Sequence, residues 1–176
     1  MSGPARQVLG WRVWRLHDGG LHSLVADYRW GPGENQARCL APGRPACLDP
    51  PGRHCHCGFW AAWSPRRALT RTCATVEPPW QVLGLVAAWG AVVPHGAEGF
   101  RAERAALRCL FTDRPWSWRP PPRTGAARSE WDALRSVAAD HAVPLVSVAN
   151  AVSLGLLGGA GLPEERIAEA ASLRWA

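Results

Sequence analysis

Chemistry in this chain concentrates in residues 39 to 57, which carry Cys39, Cys47, Cys55 and Cys57, with His54 and His56 beside the last pair. Four of the six cysteines and two of the six histidines fall there, in a run of Pro, Gly and Arg without hydrophobic period. A segment with no apolar face to bury needs another source of order. A structural zinc ion supplies one: zinc takes about four thiolate or imidazole ligands in a tetrahedron, and Gly- and Pro-rich loops can wrap it without secondary structure of their own. The four thiols are the expected ligands, with His54 or His56 as substitutes if Cys47 points away. Cys55-His56-Cys57-Gly58 has the form of a knuckle, in which two thiolates grip one ion and the glycine lets the following backbone approach them. The spacing C-x7-C-x7-C-x-C departs from the common C-x2-C pairs, so ligand chemistry carries the expectation more than a signature does.

Other uses of these cysteines are open. They could be unligated thiols on a loop, or a disulfide pair; a C-x-C disulfide closes a strained small ring and is labile. A thiol-dependent enzyme is conceivable because His54 and His56 flank Cys55 and Arg53 could lower a thiol pKa. Residues adjacent along a chain do not generally face each other in reactive geometry, which weighs against it. The His-x-Glu and Pro-Cys-x-x-Cys pair of zinc deaminases does not occur. No Gly-rich phosphate loop or dinucleotide fingerprint occurs either. A second polar group, Trp89, His95, Arg101 and Glu103, reads as a hairpin end; in a strand Arg101 and Glu103 share a face. It is either a contact surface for a protein partner or a solvated ion pair.

The elements that must position these residues start from a chain of 176 residues, about one domain in length, with 47% hydrophobic residues and so enough apolar surface for a core. The formal charge of +6 invites nucleic-acid binding, with Arg gripping phosphates and exposed Trp stacking bases. All 20 basic residues are Arg, in a chain also rich in Ala, Gly and Pro, the usage of a GC-rich genome, which discounts the invitation. The charge is uneven: residues 1 to 128 hold 17 Arg against 8 acids, and residues 129 to 176 hold 3 Arg against 6. The 11 tryptophans are first of all packing residues, and secondly candidates for an aromatic binding face. The N-terminal segment has no apolar run of a secretory signal, so a cytoplasmic location is expected, where clustered cysteines bind metal more often than they pair. The uncharged run from Ala142 to Leu162 contains Pro144, Asn150 and four glycines and reads as a buried helical segment rather than a membrane span.

Trp11 to His17, then Asp18-Gly19-Gly20 and Leu21 to Trp30, predict a β-hairpin. Gln36 to Leu40 is a short third strand delivering Cys39. Gly58 to Trp63 is a strand or the first turns of a helix, and Arg66 to Val76 has no clean period. Trp80 to Val93, interrupted by Gly84 and Gly90, predicts a bent or bulged central strand. Phe100 to Ala105 reads as strand, followed by a helical turn through Leu110. Trp116 to Arg123, with three consecutive prolines, marks a linker over 113–128. Ser129 with Asp132 approximates a capping box for a first tail helix; Val146 to Leu157 makes a second, and Pro163 starts a third.

Four motifs together, Gly10-Trp11-Arg12-x-Trp14, Cys55-x-Cys57-Gly58-x-x-Ala61, Gly84-x-Val86-x-x-Trp89-Gly90-x-Val92-x-x-His95 and Gly99-Phe100-Arg101-Ala102-Glu103-x-Ala105, resemble a family of small, uncharacterised bacterial proteins. The resemblance covers roughly residues 10 to 110 and implies no activity. In such sequences a His often stands near the position of Cys47, which suits an exchange of one metal ligand for another. The architecture expected is α+β: a small antiparallel β-barrel or rolled sheet over 8–112 with the cysteine-rich loop 39–57, the linker 113–128, and a helical tail over 129–176. The function expected is a non-enzymatic intracellular binding or adaptor module that contacts a protein partner and is stapled by zinc. Nucleic-acid binding and thiol-dependent catalysis are the alternatives.

Overall fold

Val82 to Ala88 are buried in succession along one strand, and the sheet is assembled around it. The computed structural model describes residues 7–40, 45–72, 81–112 and 126–157. In chain order the elements are β1 (Val8–His17), β2 (Gly20–His22), β3 (Arg29–Trp30), β4 (Glu34–Gln36), β5 (Phe59–Ala62), α1 (Pro65–Thr72), β6 (Gln81–His95), β7 (Gly99–Phe111), α2 (Ala126–Asp140), β8 (Leu145–Val146) and α3 (Val148–Ser153). β6 pairs antiparallel with β1 from Val8↔Ala88 to Arg15↔Gln81, and with β7 from Gly84↔Leu110 to His95↔Gly99. Register shifts at Leu85/Val86 and Trp89/Val92 bend the β6–β7 hairpin, as the two glycines led one to expect.

The other edge of β7 takes two short strands end to end. β5 pairs with it from Phe59↔Ala102 to Ala62↔Gly99, and β4 from Glu34↔Ala106 to Gln36↔Arg104. β5 also meets β1, at the single pair Trp11↔Ala62. The circuit β1–β6–β7–β5 is therefore closed by one pair, and the barrel expected from the sequence is not cleanly formed. The class is α+β with a mostly sheet core. Two residues from the closing pair, the Trp60 carbonyl accepts from the Arg12 guanidinium, a side chain standing where a ladder bond would continue the closure.

Alternation along the strands divides the apolar residues into two clusters. One contains Trp14, Leu21, Trp30, Phe59, Val86 and Phe100, and receives Leu134, Val137 and Ala138 from α2. The other contains Leu9, Trp11, Val13, Leu83 and Leu85, and receives Ala68 and Leu69 from α1 and Val148 and Ala151 from α3. Trp11 stacks on Phe111 at 5.1 Å and Trp14 meets Trp30 edge-on at 5.3 Å, so these three tryptophans are packing residues.

Several local expectations give way to tertiary pairing. β7 remains extended to Phe111 instead of turning helical after Ala105, because β6 holds one edge along its length and β4 and β8 take up the other. The aperiodic stretch after Pro65 is a helix whose start is set by Ser64: its Oγ accepts from the Arg67 amide at 3.3 Å and its carbonyl from the Ala68 amide at 3.1 Å. The returning strand of the first hairpin is divided between β2 and β3, and the third strand, β4, ends at Gln36 rather than beginning there. α2 begins at Ala126, which puts Ser129 inside the helix rather than at its cap. Val146, expected to open the second tail helix, instead joins Leu145 in β8 and pairs parallel to Leu110 and Phe111. α3 follows at once, with Ser147 Oγ accepting from the Asn150 amide at 3.1 Å. Residues 113–125 of the expected linker and the third tail helix lie outside the described residues. Among the described residues no helix is long and apolar enough to cross a membrane.

Candidate metal centre

The cysteine-rich loop is pinned where β4 and β5 meet on the edge of β7. β4 ends opposite Arg104 and β5 begins opposite Ala102. Between them the Ala37 amide donates to the Glu103 carbonyl at 2.7 Å, continuing the pairing toward Cys39. Cys39 and Cys57 thus leave the sheet close together although 18 residues apart in sequence. Gly58 makes the last step: it sits at φ +106°, and a Cβ there would lie 2.9 Å from Pro51 Cβ and 3.2 Å from the Ala102 carbonyl oxygen.

The loop brings together the Sγ atoms of Cys39, Cys47, Cys55 and Cys57, all within 4.8 Å of one another. None of the four is in a disulfide, and Cys39 Sγ lies 3.7 Å from Cys55 Sγ. A disulfide needs about 2.05 Å. A tetrahedral tetrathiolate with metal–sulfur bonds of about 2.3 Å has sulfur–sulfur edges of about 3.8 Å, close to the Cys39–Cys55 separation and inside the 4.8 Å limit of the group. A polynuclear iron–sulfur cluster interposes several atoms between its thiolates and requires a wider spread. The four sulfurs could hold one metal ion, and they match the four thiols expected from the sequence. His54 and His56 are exposed on the same loop and are not members of the group.

Electrostatics point the same way. The Cys47 thiol is pushed up to about 12, chiefly by its hydrogen bond with Cys55 and then by desolvation. Cys57 is raised as well, by burial first, against a lowering contribution from the Gly52 amide, which donates to its Sγ at 3.3 Å. Thiols this close resist ionising together, and a cation between them reverses that preference. Gly52 also has to be small: a Cβ on it would lie 2.7 Å from Cys47 Sγ.

Beneath the loop lies Arg101 of β7, 2% exposed. Its NH1 group donates to the carbonyls of Cys55, of Cys57 at 2.9 Å and of Gly52 at 3.4 Å, and its Nε to His95 Nε2 at 2.7 Å. That last bond places the imidazole proton on Nδ1, since the guanidinium is always a donor. The guanidinium also stands over the Trp60 ring, 5.7 Å from its centroid, and the His95 ring lies 4.4 Å from that of Trp60. None of the ion pairs among the described residues involves Arg101.

Of the four residues read as a partner-binding hairpin, Arg101 and His95 therefore serve the cysteine loop. Glu103 faces the bulge, where Oε2 accepts from the Ala91 amide at 3.0 Å, the main cause of its lowered pKa, and Oε1 from Arg104 Nε at 3.2 Å. Trp89 is half-buried opposite Arg104. Sequence reasoning missed Gly52 and Trp60; only the order Pro51-Gly52-Arg53 hinted at a close approach, and Trp60 carried no signal beyond its position after Gly58. Cys109 is a core residue whose thiol burial pushes up to about 12, and Cys73 lies outside the described residues. No family model, no curated protein and no solved structure matches the chain.

Proposed function

We propose that this protein is a non-catalytic intracellular binding module whose loop 39–57 is locked by a structural zinc ion on Cys39, Cys47, Cys55 and Cys57. The observation that carries the reading is the mutual approach of the four sulfurs within 4.8 Å. Four thiolates complete a tetrahedral zinc and leave no position for substrate water, the mark of structural rather than catalytic sites. Arg101 adds support, because a buried guanidinium that has no carboxylate partner among the described residues is accommodated beside a centre whose net charge is about −2. A thiol-dependent enzyme is less well supported, because it needs a thiol whose pKa is lowered, and here Cys47 and Cys57 move upward. Base stacking by Trp11, Trp14 and Trp30 is ruled out by their burial, at 0%, 0% and 2% exposure. Contact with a protein partner would fall to the outer part of the hairpin around Trp89, since Arg101 is engaged below the loop.

Elemental analysis of freshly purified, reduced protein tests the reading. About one zinc per chain is expected, with a fall in thermal stability on chelation. Less than about 0.2 metal per chain overturns it, and one iron per chain replaces zinc while keeping the ligand set.

A further inference from the structure

Between β1 and β5, where the sheet closes through one residue pair, a trough of about 1240 Å³ opens on the surface. Its lining includes Arg12 from β1, Trp60 from β5, and Ser23, Tyr28 and Arg38 from the segments between β2 and the cysteine loop. Arg12 is the unusual member. Its guanidinium packs over Trp30 at 4.9 Å and Trp14 at 5.9 Å, and donates to the Trp60 carbonyl and to Ser23 Oγ at 2.9 Å. Its Nε is shut off from solvent with no hydrogen-bond partner. Desolvation lowers its pKa to about 10, still far above neutrality, so the group remains a cation at the floor of the trough.

A desolvated cation calls for an opposite charge. None of the ion pairs among the described residues involves Arg12. Of the two acids on the lining, Glu98 is taken by Arg67 at 2.5 Å and Asp27 is exposed at the rim. Arg38, exposed, is a second cation on the same lining. Leu24, Val25 at 89% exposure and Leu40 at 50% add aliphatic surface to the same lining, which also takes in His54 and His56 of the cysteine loop. Cationic floor and aliphatic lip together suit a ligand with an anionic head and an apolar body.

We propose that this trough binds an organic anion, a carboxylate or phosphate on an apolar or aromatic body, with its head at Arg12 and Arg38 and its body against Leu24, Val25 and Leu40. The site goes beyond the metal centre and does not depend on its identity, although Cys55 and Cys57, with His54 and His56, form part of the lining. Zinc content measured on the same samples separates failure of one reading from failure of the other.

The test uses the full, metal-loaded chain and three probes: 2-naphthoate, phenyl phosphate, and the neutral isostere 2-naphthamide, each followed by amide shifts in two-dimensional NMR. At least one anion is expected to shift the amides of Arg12, Ser23, Tyr28 and Trp60, and which one does so identifies the head group. The amide probe should bind at least about 10-fold more weakly than 2-naphthoate if the carboxylate is accepted, the scale of one charged hydrogen bond. Arg38→Ala, at an exposed position that leaves the fold intact, should weaken anion binding by about 10-fold without affecting 2-naphthamide. Arg12→Met should abolish anion binding; should that variant fail to fold, Arg38→Ala and the amide comparison decide. The proposal is overturned if 2-naphthamide binds as well as the anions, if Arg38→Ala leaves anion affinity within about twofold of the parent, or if the shifts fall elsewhere or are absent.

Discussion

Replacing Arg101 by lysine separates two roles that the structure gives this side chain, positive charge beside the cysteine centre and a fork that ties three carbonyls together. Lysine keeps the first and loses most of the second. The guanidinium holds Gly52, Cys55 and Cys57 through NH1 while Nε holds His95, so one group fixes the direction of two sulfur-bearing residues and of the glycine that touches a third sulfur. An ammonium is a single point and cannot satisfy carbonyls and imidazole from one position. Loss of a partner that orients metal ligands typically costs 10- to 100-fold in metal affinity, about 1.4 to 2.8 kcal/mol. Zinc affinity of Arg101→Lys should therefore fall by at least about 10-fold, close to the loss in Arg101→Met. The assay is competition for zinc against a chromophoric chelator, with circular dichroism to confirm that each variant retains the parent's β spectrum. The reasoning is refuted if Arg101→Lys binds zinc within about twofold of the parent while Arg101→Met does not, because charge alone would then account for the residue.

Three further outcomes follow from the same geometry. Chelation should remove amide-exchange protection from residues 45 to 58 while the amides of β6 stay protected, since neither apolar cluster depends on the loop alone; loss of protection throughout would make the metal a requirement of the whole fold. Gly52→Ala should weaken zinc binding by about 10-fold, because its Cβ would lie 2.7 Å from Cys47 Sγ; unchanged affinity in the competition assay would show that the loop yields freely. His141, at the end of α2, has a pKa lowered from 6.5, first by burial and with Asp140 opposing. Its neutral form is the one the fold favours, so its contribution to stability is complete above the unfolded value and is lost as pH falls below about 6.5, levelling off once the folded pKa is passed. Thermal melts of the parent and His141→Gln between about pH 7.5 and about pH 5.5 should show a steeper decline for the parent; parallel profiles would remove His141 from the acid response. His22 is lowered in the same direction and is common to both proteins, as is any acid release of metal, so only the difference between the profiles reports on His141.

The sequence by itself determined the four-cysteine cluster and the bent central hairpin. Four thiols in a loop with no hydrophobic period have few ways to become ordered, and the two-sided apolar run of β6 with its glycines admits little but a buried, bulged strand. Local signals also held for Asp18 and Gly19, whose positive φ turns β1 into β2. Tertiary structure decided what depends on partners distant in sequence. Whether Leu107 to Phe111 or Leu145 and Val146 are helical or extended is settled by the strand edges they meet, and no window along the chain contains that information. Arg101 looked like a surface residue because its charge is legible locally, whereas the three carbonyls that draw it inward lie 44 to 49 residues earlier. Arg12 was hidden likewise between two tryptophans whose packing the sequence does not display. The loop's chemistry is written in its cysteines; the arginine that orients it is placed by the register of β7.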